Sequence, residues 1–295
     1  KEENMFKNLS ILTILALMVS TAQACDINGE TGFMPENDLN ISVDAKALRN
    51  NMTEARFNEI IDLADKHYKP IVKAKGGKLK WARKWNDGTV NASANRTLFG
   101  SWKVNMFGGL ARHELVTDDA FALVVCHELG HHLGGAPKVG GMMKWAANEG
   151  QSDYFGTLKC FRRIFEADNN ELAIANMTIP ATVTANCEAN YTLSNDRALC
   201  IRGAMAGKSL ADLLGSLRSS PATDFDTPDT SVASSTNNAH PAAQCRLDTY
   251  FQGALCDKII SEDVSNEDVT AGTCNRVQGY SEGVRPLCWY KPAAL

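Results

Sequence analysis

The chain has 295 residues and a mass of 32.1 kDa, room for one large domain or two small ones. A hydrophobic share of 44% and a charged share of 22% exclude a chain that is disordered throughout. Lysine and arginine number 30 against 34 aspartates and glutamates, a net charge of −4 that lacks the basic bias of a general nucleic-acid binder, and no nucleic-acid partner is expected.

Met5 and Lys7 open a short polar stretch, followed by the apolar run Leu9 to Val19 and the small-x-small ending Ala22-Gln23-Ala24. This is the form of a secretory signal over residues 1–24, with an apolar core too short to span a bilayer comfortably. An uncleaved N-terminal anchor is the alternative. The expected mature chain, 25–295, is a single domain with no transmembrane helix, exported to the periplasm or secreted. Cleavage would place Cys25 first, where a bacterial lipoprotein carries its lipid. The Ala-Gln-Ala before it lacks the usual leucine, so plain secretion is preferred to a lipid anchor. The other eight cysteines are an even number, and export favours disulfides. Neighbours in sequence suggest Cys187–Cys200, Cys245–Cys256 and Cys274–Cys288, which leaves Cys126 for Cys160. No Cys-x-x-Cys pair is present, so neither a thiolate zinc ribbon nor a thioredoxin-type site is supported.

Residues 26–42 carry no periodic pattern and are expected to be irregular. Leu48, Met52, Phe57, Ile60, Ile61, Ala64 and Tyr68 recur at helical spacing, which predicts a helix over 44–74. Leu79, Trp81 and Lys84-Trp85 then lead into Asn86-Asp87-Gly88, a hairpin turn signal. Strands are expected at Thr89 to Asn95 and Ser101 to Phe107, making a small antiparallel sheet closed by Gly108-Gly109. Ser101 to Phe107 is the candidate edge for an extended peptide. Thr117 as N-cap, with Asp118 and Asp119 in the first turn, starts a helix that runs to Leu133 and stops at Gly134-Gly135 and Pro137. Further helices are expected over 145–167, 195–218 and 242–261. The Ser-, Thr-, Asp- and Pro-rich stretch 219–238 reads as a loop, and the tail after 262 as a loop stapled by cysteines. The fold class is α+β, mainly helical, with a core at about 78–165 and a helical, disulfide-rich C-terminal part at about 187–295.

The chemistry concentrates in Cys126-His127-Glu128-Leu129-Gly130-His131-His132, which contains His-Glu-x-x-His. On a helix His127 and His131 lie one turn apart on one face, where two neutral imidazoles can chelate Zn2+, and Glu128 reaches the water beside it. One class of such enzymes takes a third histidine ten residues after the first. That position is Pro137 here, which cannot ligate. The other class takes a glutamate from the next helix, and Glu149 in Asn148-Glu149-Gly150-Gln151-Ser152-Asp153 offers it. Asp153, one turn further, can accept the non-ligating N–H of a zinc histidine and fix its tautomer. His132 points about a hundred degrees away from the ligand face. Cys126 is excluded as a ligand by the same geometry. His67 and His113 have no constellation around them and are expected at the surface.

His-Glu-x-x-His followed by Glu-x-x-x-Asp resembles the gluzincin pattern, and Asn148 to Gly156 is similar to the corresponding stretch of thermolysin-type enzymes. His240-Pro241 with Arg246 gives His-Pro-x-x-x-x-Arg. This resembles the peptidase family that contains the bacterial membrane heat-shock protease and the CAAX prenyl protease. The likeness covers residues 100–165 well and 236–250 moderately. It implies a zincin-type metallopeptidase domain with one zinc ion, acting as an endopeptidase on a peptide or protein substrate. It assigns His240 to transition-state support near the metal and Arg246 to ordering the site. Many of those relatives span membranes several times, whereas this chain looks like a soluble, exported member. Two further readings use the same residues: a secreted binding protein with a non-catalytic zinc site, and a zinc amidase acting on cell-wall peptides. Glu128 argues against the first, because a structural site needs no base. The Glu149–Asp153 arrangement argues against the second.

Overall fold

A computed structural model describes residues 32–292 apart from 48, 98, 141–143 and 219. The signal stretch 1–24, Cys25 and Leu48 lie outside the described residues. The class is α+β and mainly helical, with one three-stranded sheet and four disulfides.

Helix α1 (Glu54–Ala74) starts ten residues later than its apolar periodicity suggests, because Thr53 caps it by accepting Arg56 N–H. Residues before it are held instead by Asn50, whose Nδ2 donates to the carbonyls of Ala111, His113 and Val116. Phe57, Ile60, Ile61, Ala64, Tyr68 and Val72 form its buried face.

The sheet comprises β1 (Lys78–Lys84), β2 (Ala92–Arg96) and β3 (Ser101–Phe107) in the order β1-β3-β2. It is mixed, not antiparallel throughout: β1 runs parallel to β3 with Lys78 opposite Ser101, and β2 runs antiparallel to β3 with Ala92 opposite Met106. Ser101–Phe107 is therefore the central strand and has no free edge; β1 and β2 are the edges. The Asn86-Asp87-Gly88 turn closes no hairpin. Its backbone groups pair outward, Gly88 O with Ile41 N–H and Asp87 O with Gly109 N–H. The segment is also clamped by Arg112, which donates to the carbonyls of Trp85 and Ile41. Arg112 lies in the short helix α2 (Gly108–Arg112) that follows β3.

Helix α3 (Asp118–Leu133) begins and ends where its caps require, at Thr117 and Gly134. All but its first residue are buried, which makes it the axis of the fold. Arg202 of α8 (Ser194–Leu217) forks onto Asp119 in its first turn at 2.8 and 2.8 Å. Helix α4 (Glu149–Phe155) begins at Asn148, whose side chain accepts Gln151 N–H. It continues through a π-helical stretch, Gly156–Phe161, into α5 (Arg162–Phe165), so the expected 145–167 helix is shorter and locally overwide. Helices α6 (Asn170–Ile174) and α7 (Ala181–Asn190) precede α8, and α9 (Ala243–Leu255) ends earlier than the expected 261. Residues 220–242 are irregular, as is the tail apart from one 3-10 turn, Arg276–Gln278. The main apolar core runs from Phe33 through α1, the sheet and α3 to Leu210 of α8 and Tyr250 of α9.

Cys187–Cys200 joins as sequence proximity suggests, and Cys126–Cys160 as the pair expected by remainder. The other two pairs are exchanged: Cys245 joins Cys288 and Cys256 joins Cys274. The reason is the route of the tail, which returns along α9 so that Trp289 is fully buried with its Nε1–H on Thr249 Oγ1. Among the described residues no helix is long and apolar enough to cross a membrane. Four disulfides suit an oxidising compartment.

The Cys245–Cys288 bridge closes a loop of 43 residues. Replacing both cysteines with serine should lower unfolding free energy by about 4 kcal/mol, the loop-closure value for that length, measured by denaturant titration. Non-reducing peptide mapping of the parent should recover Cys245 with Cys288; recovery of Cys245 with Cys256 would overturn the tail's path.

Candidate metal centre

His127 and His131 project from one face of α3 with ring centroids 4.8 Å apart. Glu149, in the first turn of α4, faces both: its Oε2 is 3.3 Å from His127 Nε2 and its Oε1 is 3.6 Å from His131 Nε2. These three residues offer ligand atoms that all lie within 4.8 Å of one another, and all are buried. Helices α3 and α4 approach this closely because position 130 is glycine. A Cβ there would meet the Ser152 backbone at 2.9 Å, so even alanine would push α4, and with it Glu149, away from the histidines.

The outer partners orient each ring. His127 Nδ1 lies 2.7 Å from Asp153 Oδ1, and His131 Nδ1 lies 2.9 Å from the Ala147 carbonyl. A carbonyl only accepts, so His131 carries its proton on Nδ1 and presents the Nε2 lone pair to the centre. Asp153 in turn takes a two-pronged grip from Arg246 of α9, Nε to Oδ2 and Nη2 to Oδ1, both at 2.7 Å. His240 arrives from the loop before α9, with Nε2 at 3.5 Å from Glu149 Oε2. The structure thus brings all seven singled-out residues, His127, Glu128, His131, Glu149, Asp153, His240 and Arg246, to one place, although 119 positions separate the first from the last.

Burial and charge pull against each other here. Burial pushes the Glu128 carboxyl up to about 8, with Glu149 adding and His127 opposing. Burial would also raise Glu149, but His240, His131 and His127 hold it well below the ordinary carboxylate range. Burial lowers His131 to about 4. It lowers His127 as well, yet Asp153 and Glu149 outweigh it and bring that imidazole to about 9 when only protein groups are present. Arg246 and His127 keep Asp153 ionised below its usual range despite its burial.

A metal fits this set on two independent grounds. The donors are two imidazole nitrogens and one carboxylate, the combination that zinc takes in hydrolytic sites with a fourth position left for water. Moreover, His127 Nε2 and both oxygens of Glu149 are buried without a hydrogen-bond partner, an expensive condition unless a cation satisfies them. Both oxygens of Glu128 are buried and unpartnered in the same way. A second cluster, Asp229 with Cys245 and Cys288, offers no thiolate, because the two sulfurs form a disulfide.

Other histidines fall elsewhere. His132 is sandwiched between Trp102 and Trp145 at 5.4 and 5.0 Å, outside the ligand set. Cys126 is in its disulfide. His113, expected at the surface, is buried and accepts Leu115 N–H on Nδ1; His67 is half-buried. Sequence reasoning missed Asn148, which caps α4 and also ties the centre to the approach of His240 by donating to Asn237 O and Asn238 Oδ1. It also missed Gly32–Met34, which pack against the site from a stretch with no periodic signal. Compared with protein-family models, curated proteins and solved structures, the chain matches none. The functional reading therefore rests on these residues and their geometry.

Asp153→Asn removes both the acceptor that orients His127 and the counter-charge of buried Arg246. Zinc affinity should fall about 10–100-fold, read by competition with a chromogenic chelator. Stability should fall by about 3–5 kcal/mol, read by denaturant titration, because an unpaired guanidinium is left in the interior. An Asp153→Asn protein with parental zinc affinity would show that the ring is oriented by other means.

Proposed function

We propose that the chain is a zinc-dependent endopeptidase of the gluzincin type, acting outside the cytoplasm on peptide or protein substrates. The observation that carries this reading is Glu128: a buried carboxylate with no partner for either oxygen, adjacent in sequence to one ligand of a three-residue metal set. A purely structural zinc site closes its coordination with protein groups and has no use for such a neighbour.

His127, His131 and Glu149 would hold the ion. When bound, zinc supplies a Lewis acid that polarises the substrate carbonyl and makes water acidic enough to attack at neutral pH. Glu128 accepts a proton from the attacking water and passes it to the leaving amine nitrogen. Its burial makes it a stronger base than an exposed carboxylate, which suits it to both transfers. His240 Nε2–H, at the rim of the same centre, donates to the carbonyl oxygen as negative charge builds there. Asp153 and Arg246 touch no substrate; they keep the His127 ring from turning. The likeness to the family with His-Pro-x-x-x-x-Arg supports the same assignment, since Arg246 of that motif meets Asp153 of the other motif. The four disulfides support export, to the periplasm or beyond the cell.

The test is zinc content together with cleavage of a quenched peptide library. Glu128→Gln should retain one zinc per chain and the parental fold but lose turnover by several orders of magnitude, because an amide cannot accept the proton. Near-parental turnover in Glu128→Gln would remove the assigned base. Zinc binding without hydrolysis of any peptide in the parent would favour a binding protein instead.

A further inference from the structure

The centre is covered by the chain's own N-terminal segment, and the cover is held as a bound peptide would be. Phe33 and Met34 are fully buried. Phe33 N–H donates to Ala92 O on β2, an edge strand of the sheet, at 2.8 Å. Met34 is paired by the Asn91 side-chain amide, which accepts Met34 N–H at 2.9 Å and donates to Met34 O at 3.3 Å. Phe33 O accepts from Arg246 Nη1 at 3.1 Å. Gly32 O lies 2.9 Å from His240 Nε2, and a carbonyl only accepts, so this nitrogen donates to it. The Phe33 ring stands edge-on to His127 at 5.0 Å, with the Arg246 guanidinium 4.5 Å from its centre.

Each of these hydrogen bonds uses a main-chain group of the segment, and among them His240 Nε2 donates to a peptide carbonyl. One main-chain hydrogen bond to an edge strand, polar side chains holding the remaining main-chain groups, and a recess for one large side chain are means by which proteins take up peptides. Resting on the peptidase reading, we infer that Gly32–Met34 is a pseudosubstrate. It fills the groove in which the site receives a peptide, and the groove selects glycine followed by an aromatic residue. Glycine is demanded at the first position. Gly32 has φ +98°, and a Cβ there would stand 2.3 Å from Asn91 Oδ1 and 2.5 Å from Ala92 O. The aromatic position is set by the His127–Arg246 wall. Peptides from outside compete with this segment for one groove, so the open fraction of molecules limits their apparent affinity.

The experiment uses the full chain and Gly32→Ala, which cannot keep the segment seated. The probe is a fluorescent peptide, N-acetyl-Gly-Phe-Met-amide with a C-terminal dye, followed by anisotropy. Gly32→Ala should bind it at least about 10-fold more tightly than the parent, and the Ala-Phe-Met analogue should bind neither. Zinc release to a chromogenic chelator should be faster in Gly32→Ala and slow again when the Gly-Phe-Met peptide is added. Equal peptide binding by parent and variant, or unchanged zinc release with lower turnover in a folded Gly32→Ala, would make the segment a fixed wall of the site and overturn the inference. Should Gly32→Ala lose its disulfide pattern, Asn91→Ala, which frees Met34 without backbone strain, is scored by the same criteria. Absence of zinc from parent and variants alike sinks the metallopeptidase reading separately, and the anisotropy result still decides whether the groove takes peptide.

Discussion

A bidentate ion pair in the dry interior, Asp153 with Arg246, holds the candidate site together. It joins α4 to α9, and through the second contact of Asp153 it fixes His127 on α3. Through Phe33 O it also reaches the N-terminal segment. Burying two charges is costly, and the cost is met here because the fork of the guanidinium matches both carboxylate oxygens while spare donors find Phe33 O and Tyr250 Oη. Lysine could offer a charge but not that fork. Once the pair is made, neither helix can slide without exposing an unpaired charge to apolar surroundings, so the ligand geometry inherits the rigidity of the pair.

The local part of this arrangement was legible in the sequence. His127, Glu128 and His131 need only helical periodicity to share a face, and Thr117 and Gly134 mark that helix at both ends. Glu149 and Asp153 follow by the same one-turn spacing on the next helix. His240 and Arg246 were reachable only through family likeness, because no periodicity links α9 to α3; an ion pair between distant segments leaves no trace in composition.

What sequence order could not convey was spatial order. A turn signal at Asn86-Asp87-Gly88 says that the chain bends there but not whether the next strand pairs with the last one. Here β3 takes the place between them, and the turn's polar groups find α2 and residue 41 instead. The disulfides fail the same way. Cys245 lies in the first turn of α9 and Cys256 just past its end, and the helical turns between them keep them apart, so each takes a partner from the returning tail. The N-terminal segment is the extreme case. Nothing periodic marks Gly32–Met34, because its hydrogen bonds are to main chain and to side chains far along the sequence.

Charge balance gives the remaining constraint. Glu128, Glu149 and Asp153 would bring three negative charges into one buried volume, against a single permanent positive charge on Arg246. Protein groups alone answer this imperfectly: a proton is held on His127 up to about 9, and Glu128 resists ionising until about 8, first because it is buried and then because Glu149 is near. The first adjustment opposes the proposed chemistry, since a protonated imidazole cannot ligate; the second makes Glu128 a stronger base but leaves much of it protonated near neutral pH. His127, His131 and Glu149 would hold a divalent cation, and its charge would relieve both adjustments. With such an ion bound, His127 would be neutral, the two missing positive charges would be supplied, and ionising Glu128 would cost less. On the proposed reading the residues around His127, His131 and Glu149 suit a doubly charged ion, and the same ion would turn Glu128 from a buried acid into a working base.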